Sequence, residues 1–348
     1  MTLPKLALTP WMAASLLLSS GAMAQTKTLY IGMNGGTMEK SYVEHVFPAF
    51  EKANNVKVVV VPGTSSEVLA KVQASKDKPP MHVMFLDDGV MYRAIGMGLC
   101  QKMKPSPVLG ELYPVARMKG DMATGVSLGM TGLAYNKKMY TEKGWAAPTS
   151  WMDLADPKLK GKVVVQSLSS STFGLHAFMM FNRIQGGDDR NVEPGFNAWR
   201  AKIGGNVIEY IPNSAKISEM VQTGEAALFP LTPTQVEVLK GKGVPVEYAQ
   251  PKEGSVVLIT AQCVVANTPD ADLAQKLAEH ILAADSQSKL LEVAAQLPTN
   301  SKATASGAGA ATLTQIAGYM KTAVAVDWDS VNENRPKWNE RWNKTIEK

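Results

Sequence analysis

The chain alternates short apolar runs with polar turns and helical patterns, and this alternation occurs in two separate blocks. Apolar runs bounded by turn residues predict buried strands, and strands that alternate with helices predict a parallel sheet covered by helices. The runs cover 28–33, 56–61 and 83–86 in the first block, and 162–166, 207–210 and 226–230 in the second. The predicted fold class is therefore α/β, with two lobes that each hold a mainly parallel sheet flanked by helices.

Two long extended segments join the blocks. One covers 125–135 and is rich in glycine, and the other covers 254–265. They indicate a chain that leaves the first lobe, builds the second and returns. A low-complexity stretch at 306–311 predicts a break before a C-terminal helical tail. The predicted boundaries are 25–130 plus 258–305 for the first lobe, and 131–257 plus 306–348 for the second lobe with its tail.

The N-terminus has the pattern of a secretory signal. Lys5 precedes an apolar run over 12–18, and the small residues Ala22 and Ala24 follow it. The run is shorter than the roughly 20 residues that span a bilayer, so we predict a cleaved signal over 1–24, with cleavage after Ala24. A retained anchor helix is the alternative. Cleavage of such a signal places the mature protein in the periplasm.

The charge of the chain argues against nucleic-acid binding, and its two cysteines could form a disulfide. The chain has 36 basic and 31 acidic side chains, a formal net charge of +5, and its basic residues are scattered, which gives a nucleic-acid surface little support. In an oxidising compartment Cys100 and Cys263 could pair. Their separation along the chain leaves a disulfide and two separate core cysteines equally open.

One catalytic pattern occurs and is a minor alternative. Residues 125–129 match G-x-S-x-G around Ser127, but that motif requires a helix directly after the serine, and the residues that follow it have an extended pattern. An exported serine hydrolase is therefore disfavoured, and no catalytic residue is predicted. The four histidines stand apart and no glycine loop has phosphate-binding spacing, so no metal and no cofactor are predicted either.

Polar turns at the ends of strands are the candidate binding elements. Three turns, at 35–37, 64–66 and 169–172, carry glycines or hydroxyls and each opens a helix. Backbone N–H groups at helix starts favour an anionic group, although ordinary helix capping explains each turn equally well. Asp87 and Asp88 follow a strand as well, where they could hold an amine or cap the next helix.

The chain resembles the periplasmic solute-binding proteins of ABC importers, in the branch that includes the spermidine/putrescine-binding proteins. The motifs that carry the resemblance are 131–137, 148–154 with 160–162, 224–226, 243–246, 251–254, 298–300 and the tail 327–342. The resemblance implies a two-lobed periplasmic-binding-protein type II clamshell with two hinge crossings. It also implies a monomer that captures a small solute and presents it to a membrane permease. A solute-binding protein that serves a membrane sensor, instead of a permease, would have the same fold.

Family tracts that touch ligand, taken with the polar turns, define the candidate site. The predicted ligand-binding residues are Asn34, Gly35, Gly36, Thr37, Ser65, Asp87, Asp88, Ser169, Ser170, Ser171, Thr172, Thr232, Thr260, Trp328 and Asp329.

The chain departs from the polyamine pattern in ways that bear on the ligand. Polyamine binders have acidic residues in the second-lobe turn and on the returning crossover, where this chain has a serine run and Thr260. Leu231 and Thr232 stand where a tryptophan is common. Since an unpaired buried ammonium costs several kcal/mol, we predict a compact organic anion or zwitterion. Spermidine or putrescine is the alternative.

Overall fold

The computed structural model describes Met1 and residues 26–347, without the side chains of Lys119 and Ala308. The predicted signal over 2–24 and its cleavage site after Ala24 therefore lie outside the described residues. Within the described part, no helix is both long and apolar enough to cross a membrane.

The strands form a sheet with the order β2-β1-β3-β11-β6-β9-β7-β8, and four short strands pair at its sides. The bounds are β1 Lys27–Met33, β2 Val56–Pro62, β3 Val83–Asp87, β4 Cys100–Gln101, β5 Arg117–Met118, β6 Ala123–Asn136, β7 Val163–Gln166, β8 Val207–Ile211, β9 Leu228–Leu231, β10 Val246–Ala249, β11 Ser255–Val265 and β12 Ala323–Val324.

Helices connect and cover the strands. Their bounds are α1 Thr37–His45, α2 Phe47–Asn54, α3 Ser65–Ala74, α4 Asp88–Gly96, α5 Lys137–Glu142, α6 Thr172–Ile184, α7 Glu193–Trp199, α8 Ile217–Gln222, α9 Pro233–Gly241, α10 Ala271–Leu282, α11 Ala284–Ala294, α12 Gly307–Met320 and α13 Trp328–Thr345.

Each half of the sheet has a parallel centre, as the alternation of strands and helices predicts. In the first lobe β1 pairs in parallel with both β2 and β3, and in the second β7 pairs in parallel with β8 and β9. Consequently the carboxyl ends of β1 and β3 lie at one edge of the first half, where α1 and α4 begin.

Two long strands connect the halves, and they are the two extended segments expected from the sequence. Residues 124–131 of β6 pair antiparallel with β11, whereas residues 132–136 of the same strand pair with β9 and β10. β11 in turn pairs antiparallel with β3 of the first lobe. The main chain thus passes from one half to the other through β6 without a break in hydrogen bonding.

Separate hydrophobic cores stabilise the two halves. The first lobe buries apolar residues of β1, β3, α1 and α10 in one cluster and of α3, α4 and β11 in another. The second lobe buries α6 and α7 against aromatic residues of α13. The C-terminal helix is therefore part of the second core, and it also contacts α4 of the first lobe.

The cysteine question is resolved in favour of pairing. Cys100 on β4 and Cys263 on β11 form a disulfide, with Cα atoms 5.7 Å apart. Both residues are buried beneath α4. The bridge joins a two-residue edge strand to the long central strand of the first lobe.

The expected break at 306–311 is wrong. Ser306 is the N-cap of α12, and the following residues are already helical. Alanine has the most favourable helix propensity, and three of the six residues of this stretch are alanines. Gly309 is buried where α12 packs on α11.

Candidate functional site

A cavity between the lobes lies where strands end and helices begin. The turn after β1, the start of α3 and the end of β3 line it from the first lobe, and the start of α6 lines it from the second. Its volume is about 520 Å³. This is the position at which open α/β sheets bind ligands, outside the carboxyl ends of their strands.

Most of the residues predicted from sequence face this cavity. Those that line it are Asn34, Gly35, Gly36, Thr37, Ser65, Asp87, Ser170, Ser171 and Thr172. The three polar turns, which are distant in sequence, thus meet around one space. Thr64 and Ser171 also cap α3 and α6, because their hydroxyls accept backbone N–H groups of the first helical turn. The same turns therefore cap these two helices and line the cavity.

Four of the predicted residues, Asp88, Ser169, Trp328 and Asp329, line neither this cavity nor the smaller compartment beside it. Trp328 is buried beneath α4 and donates its Nε1–H to Asp88 Oδ2 at 3.0 Å. A Cβ at Gly89 would lie 2.6 Å from the Trp328 ring, so glycine is required for this close packing. Ser169 bonds to Ser167, and Asp329 is exposed at the start of α13.

The two lobes contact each other directly across the cavity. Thr172 Oγ1, at the first position of α6, donates to Asp87 Oδ2 at 2.5 Å. Asp87 also donates its backbone N–H to Ser65 Oγ at 3.0 Å. A second contact between the lobes joins Thr234 Oγ1 of α9 to the carbonyl oxygen of Ala295 at 3.3 Å. The structure is therefore a closed arrangement of the two halves.

Sequence reasoning missed the positive charge of the site. Arg335, on the C-terminal helix α13, lines the cavity although it is only 4% exposed, and its Nε has no hydrogen-bond partner. Burial and the charge of Arg93 lower its pKa to about 10, which Asp87 partly offsets. The side chain remains charged at neutral pH. The signal that could have found it is the spacing of seven residues from Trp328, which places both on one helix face.

Gln166 is a second residue that sequence reasoning missed. It ends β7, is 2% exposed and lines the cavity. Ser171 Oγ donates to its Oε1 at 2.6 Å, and its Nε2 has no partner. The amide therefore presents N–H donors beside the start of α6. Buried donors without partners cost free energy, and a ligand acceptor would remove that cost.

The two acidic residues of the site have perturbed pKa values. Burial raises the pKa of Asp87, although bonds from Thr172 and Ser65 and the charge of Arg335 oppose the shift. Burial and the charge of Asp87 raise the pKa of Asp88 to about 8. Two adjacent buried carboxyls disfavour double ionisation. Of the two, Asp87 lines the cavity and Asp88 does not.

A smaller compartment adjoins the cavity and holds two further predicted residues. Thr232 and Thr260 line it, together with residues of both lobes, and its volume is about 130 Å³. The two compartments share Asn34, Thr37 and Asp87 among their lining residues, so they form one continuous cleft.

Ser127 lies in the geometry that disfavours a nucleophile. It is in the middle of β6, opposite Thr260 of β11, and the strand continues to Asn136 before a helix begins. His176 is a histidine that could serve as a base for such a nucleophile, but its Nδ1 forms a hydrogen bond with Thr131 Oγ1. Its ring is fully buried, and burial lowers its pKa to about 3. Among the described residues, no three His, Cys, Asp or Glu side chains are grouped as a metal ion would require.

Comparison with known proteins identifies the family. The model of the bacterial extracellular solute-binding proteins matches residues 46–316, which is more than three quarters of the chain. The chain belongs to this family. The resemblance to the solute-binding proteins of ABC importers is thus confirmed, and the protein binds a small solute in a transport system.

Relatives of known type illustrate the range of the family. A spermidine/putrescine-binding periplasmic protein of Haemophilus influenzae is 25% identical over 69% of this chain and 68% of its own. A candidate 2-aminoethylphosphonate-binding periplasmic protein of Salmonella typhimurium is 22% identical over 91% and 90%. The periplasmic binding protein AfuA of Actinobacillus pleuropneumoniae, solved with fructose-6-phosphate, has a TM-score of 0.77 at 21% identity over 92% and 99%. The two-lobed fold is therefore confirmed.

Proposed function

We propose that this solute-binding protein takes a compact organic anion or zwitterion in the cleft between its lobes and delivers it to an ABC-type permease. The observation that carries the proposal is the buried Arg335 guanidinium, which lines the cavity with an unpartnered Nε. A buried cation needs an anionic partner, and Asp87, the single carboxyl among the lining residues, offsets the charge of Arg335 only in part. A solute anion provides the missing partner.

The neighbours of Arg335 favour the same ligand class. The N-terminus of α6 opens into the cavity at Thr172, and the free amide group of Gln166 lies beside it. Helix N-termini and amide donors stabilise negative charge, and a guanidinium binds carboxylate or phosphate oxygens in pairs. Three kinds of donor, all from the second lobe, therefore line a space that Asp87 of the first lobe also lines.

A polyamine fits this space less well. A diammonium ligand requires acidic partners at both ends, and Asp87 is the single carboxyl among the residues that line the larger compartment. Arg335 and Lys242 would repel such a ligand. One amine can still be held by Asp87, so a zwitterion such as an aminophosphonate remains within the proposed class. The relative named for 2-aminoethylphosphonate supports that class.

The site residues and lobe boundaries predicted from sequence belong to this proposal. We infer that the protein is a periplasmic monomer released by cleavage after Ala24, and that its lobes divide near residues 130 and 257. The relatives named as periplasmic support this location. The two strands that join the halves support a hinge at these positions.

Calorimetry on protein that has been unfolded and refolded, to remove carried-over solute, tests the ligand class. We expect binding within a panel of small carboxylates, phosphonates and phosphate esters, and none of comparable affinity with putrescine or spermidine. Tight polyamine binding with no anion binding would contradict the proposal. Mass spectrometry of the solute that co-purifies from the natural host identifies the compound itself.

A further inference from the structure

The smaller compartment of the cleft differs from the larger one in its charge. Six apolar side chains from both lobes line it: Leu128, Leu258 and Ala294 line it alone, and Met38, Phe173 and Val238 line both compartments. Among its lining residues Asp87 is the single charged one, whereas Arg335 and Lys242 both lie in the larger compartment. Positive charge is thus confined to one end of the cleft.

Several polar groups of the smaller compartment are already engaged. Thr232 Oγ1 accepts the Gln235 N–H at 3.2 Å, and Thr234 Oγ1 donates to the Ala295 carbonyl at 3.3 Å. Each of these hydroxyls therefore has one of its hydrogen-bonding functions engaged within the protein. The apolar side chains remain available for contact and the lining has no cation, so the wall favours hydrocarbon over an anionic group.

From this division we infer that the solute is an anion with a short hydrocarbon arm, whose acidic head binds Arg335 and whose arm fills the compartment around Leu258 and Val238. The inference rests on the proposed function, because it assigns the two ends of the same ligand. The shared lining at Asn34, Thr37 and Asp87 makes the two spaces continuous, so one molecule can occupy both.

The volume limits the size of the arm. An apolar cavity of about 150 Å³ holds benzene, and the compartment here measures about 130 Å³. It therefore suits an unbranched arm of about three to five carbons or a small branched one. Long acyl chains are too large for it.

Two matched pairs of probes test the arm while the head is held constant. They are methylphosphonate against n-butylphosphonate, and acetate against pentanoate, each measured by calorimetry on refolded protein. Each buried methylene is worth about a fourfold gain in affinity, so the longer member of a binding pair should bind about ten- to sixtyfold more tightly. Equal or weaker binding of the longer member would overturn the inference.

Filling the compartment provides an independent readout. Leu128→Phe on β6 and Ala294→Leu on α11 enlarge side chains that line the smaller compartment and not the larger one. Each should remove most of the advantage of the longer probe without weakening the shorter one. Val43→Phe introduces the same ring at a 44% exposed position and should change neither affinity. Loss of both probes to the same degree in both filled variants would contradict a separate arm site.

The outcomes separate the two proposals. If both members of a pair bind equally and Arg335→Met abolishes both, the anion site stands and the arm is refuted. If no anion of either pair binds, the proposed function fails and the arm fails with it. A gain for the longer probe that disappears in the filled variants supports both.

Discussion

Arg335 combines a formal charge with almost complete burial, and this combination determines what the cleft can hold. Its pKa is lowered only to about 10, so the charge persists at every pH at which a periplasmic protein functions. The carboxyl of Asp87 compensates part of that charge and also accepts a hydrogen bond from Thr172. The remainder is available to a ligand.

Substitution of Arg335 should therefore abolish anion binding. We expect Arg335→Met to weaken the affinity for the bound anion by at least about 30-fold, since loss of a buried charge-assisted pair costs roughly 2–5 kcal/mol. Arg335→Lys should restore part of the affinity, because it keeps the charge but loses the paired donors. Titration calorimetry measures both.

The exposed Lys242 is the matched control for this experiment. It lines the same cavity, and Lys242→Met should lower affinity by less than about threefold because its charge is solvated. Equal losses in the two methionine variants would indicate a general electrostatic effect rather than a specific contact with Arg335.

Asp88 should make the stability of the protein depend on pH. The pKa of an aspartate in an unfolded chain is near 3.9, and burial raises that of Asp88 to about 8. Between these values the folded state binds more protons than the unfolded state, so stability falls as pH rises from about 4 to about 8. Asp88→Asn removes this titration. Between pH 5 and pH 8 the melting temperature of the native protein should therefore fall further than that of the variant, by a difference of at least about 2 °C.

Asp77→Asn provides the comparison for the pH experiment, because Asp77 is exposed in the turn after α3. Its melting temperature should follow the native pH profile. An unchanged profile in Asp88→Asn would show that another group causes the dependence.

At the scale of elements, α13 connects the site with the second hydrophobic core. Its buried residues recur every three or four positions, at 328, 331, 335, 338 and 342. Trp342 is fully buried, and its ring lies 5.2 Å from Trp199 and 5.5 Å from Tyr210, measured between centroids. The stripe that anchors the helix is therefore the same stripe that presents Arg335.

Removal of the Trp342 ring should loosen this anchor. We expect Trp342→Ala to lower the free energy of unfolding of the second lobe by about 3–5 kcal/mol, the usual cost of a large core cavity. Urea unfolding followed by tryptophan fluorescence measures the change. Lys337→Ala, at an exposed position of the same helix, should change it by less than about 0.5 kcal/mol. A small effect at Trp342 would mean that α13 is not held by this core.

Much of this architecture was predictable at the level of elements. Strands β1 and β3 and the cap of α3 at Thr64 follow local rules of periodicity and capping. The position of Arg335 follows them less directly. Its spacing from Trp328 indicates a shared helix face, but Pro336 comes next, and a proline disfavours helical geometry at the residue before it. The surroundings of Arg335 also include Arg93 of α4 and His176 of α6, which are distant in sequence. Local patterns therefore predicted the turns of the site but missed its charge.

At the scale of the whole molecule, the lobes contact each other inside the cleft as well as through the C-terminal helices. The bond from Thr172 to Asp87 is one of these contacts, and it lies inside the cleft. We expect Thr172→Val to favour the open form, and hence to increase the radius of gyration in the absence of ligand. A saturating anion should reverse the increase, since a ligand that contacts both lobes shifts the equilibrium toward closure. Small-angle X-ray scattering measures this change.

Thr141→Val is suited as the control for scattering, because its hydroxyl bonds only within α5, to the Lys137 carbonyl. It should match the native radius of gyration with and without ligand. If neither the native protein nor Thr172→Val compacts on saturation, the lobes do not move on binding.

The place of Arg335 near the end of the chain affects the order in which the protein matures. It is residue 335 of 348, so both strands that join the lobes leave the ribosome well before it does. A chain that is crossing a membrane from its N-terminus would thus expose the polar turns of the cleft before the guanidinium arrives. Proteolytic trimming ahead of residue 335 would leave the polar turns of the cleft in place and remove the guanidinium that we propose binds the solute.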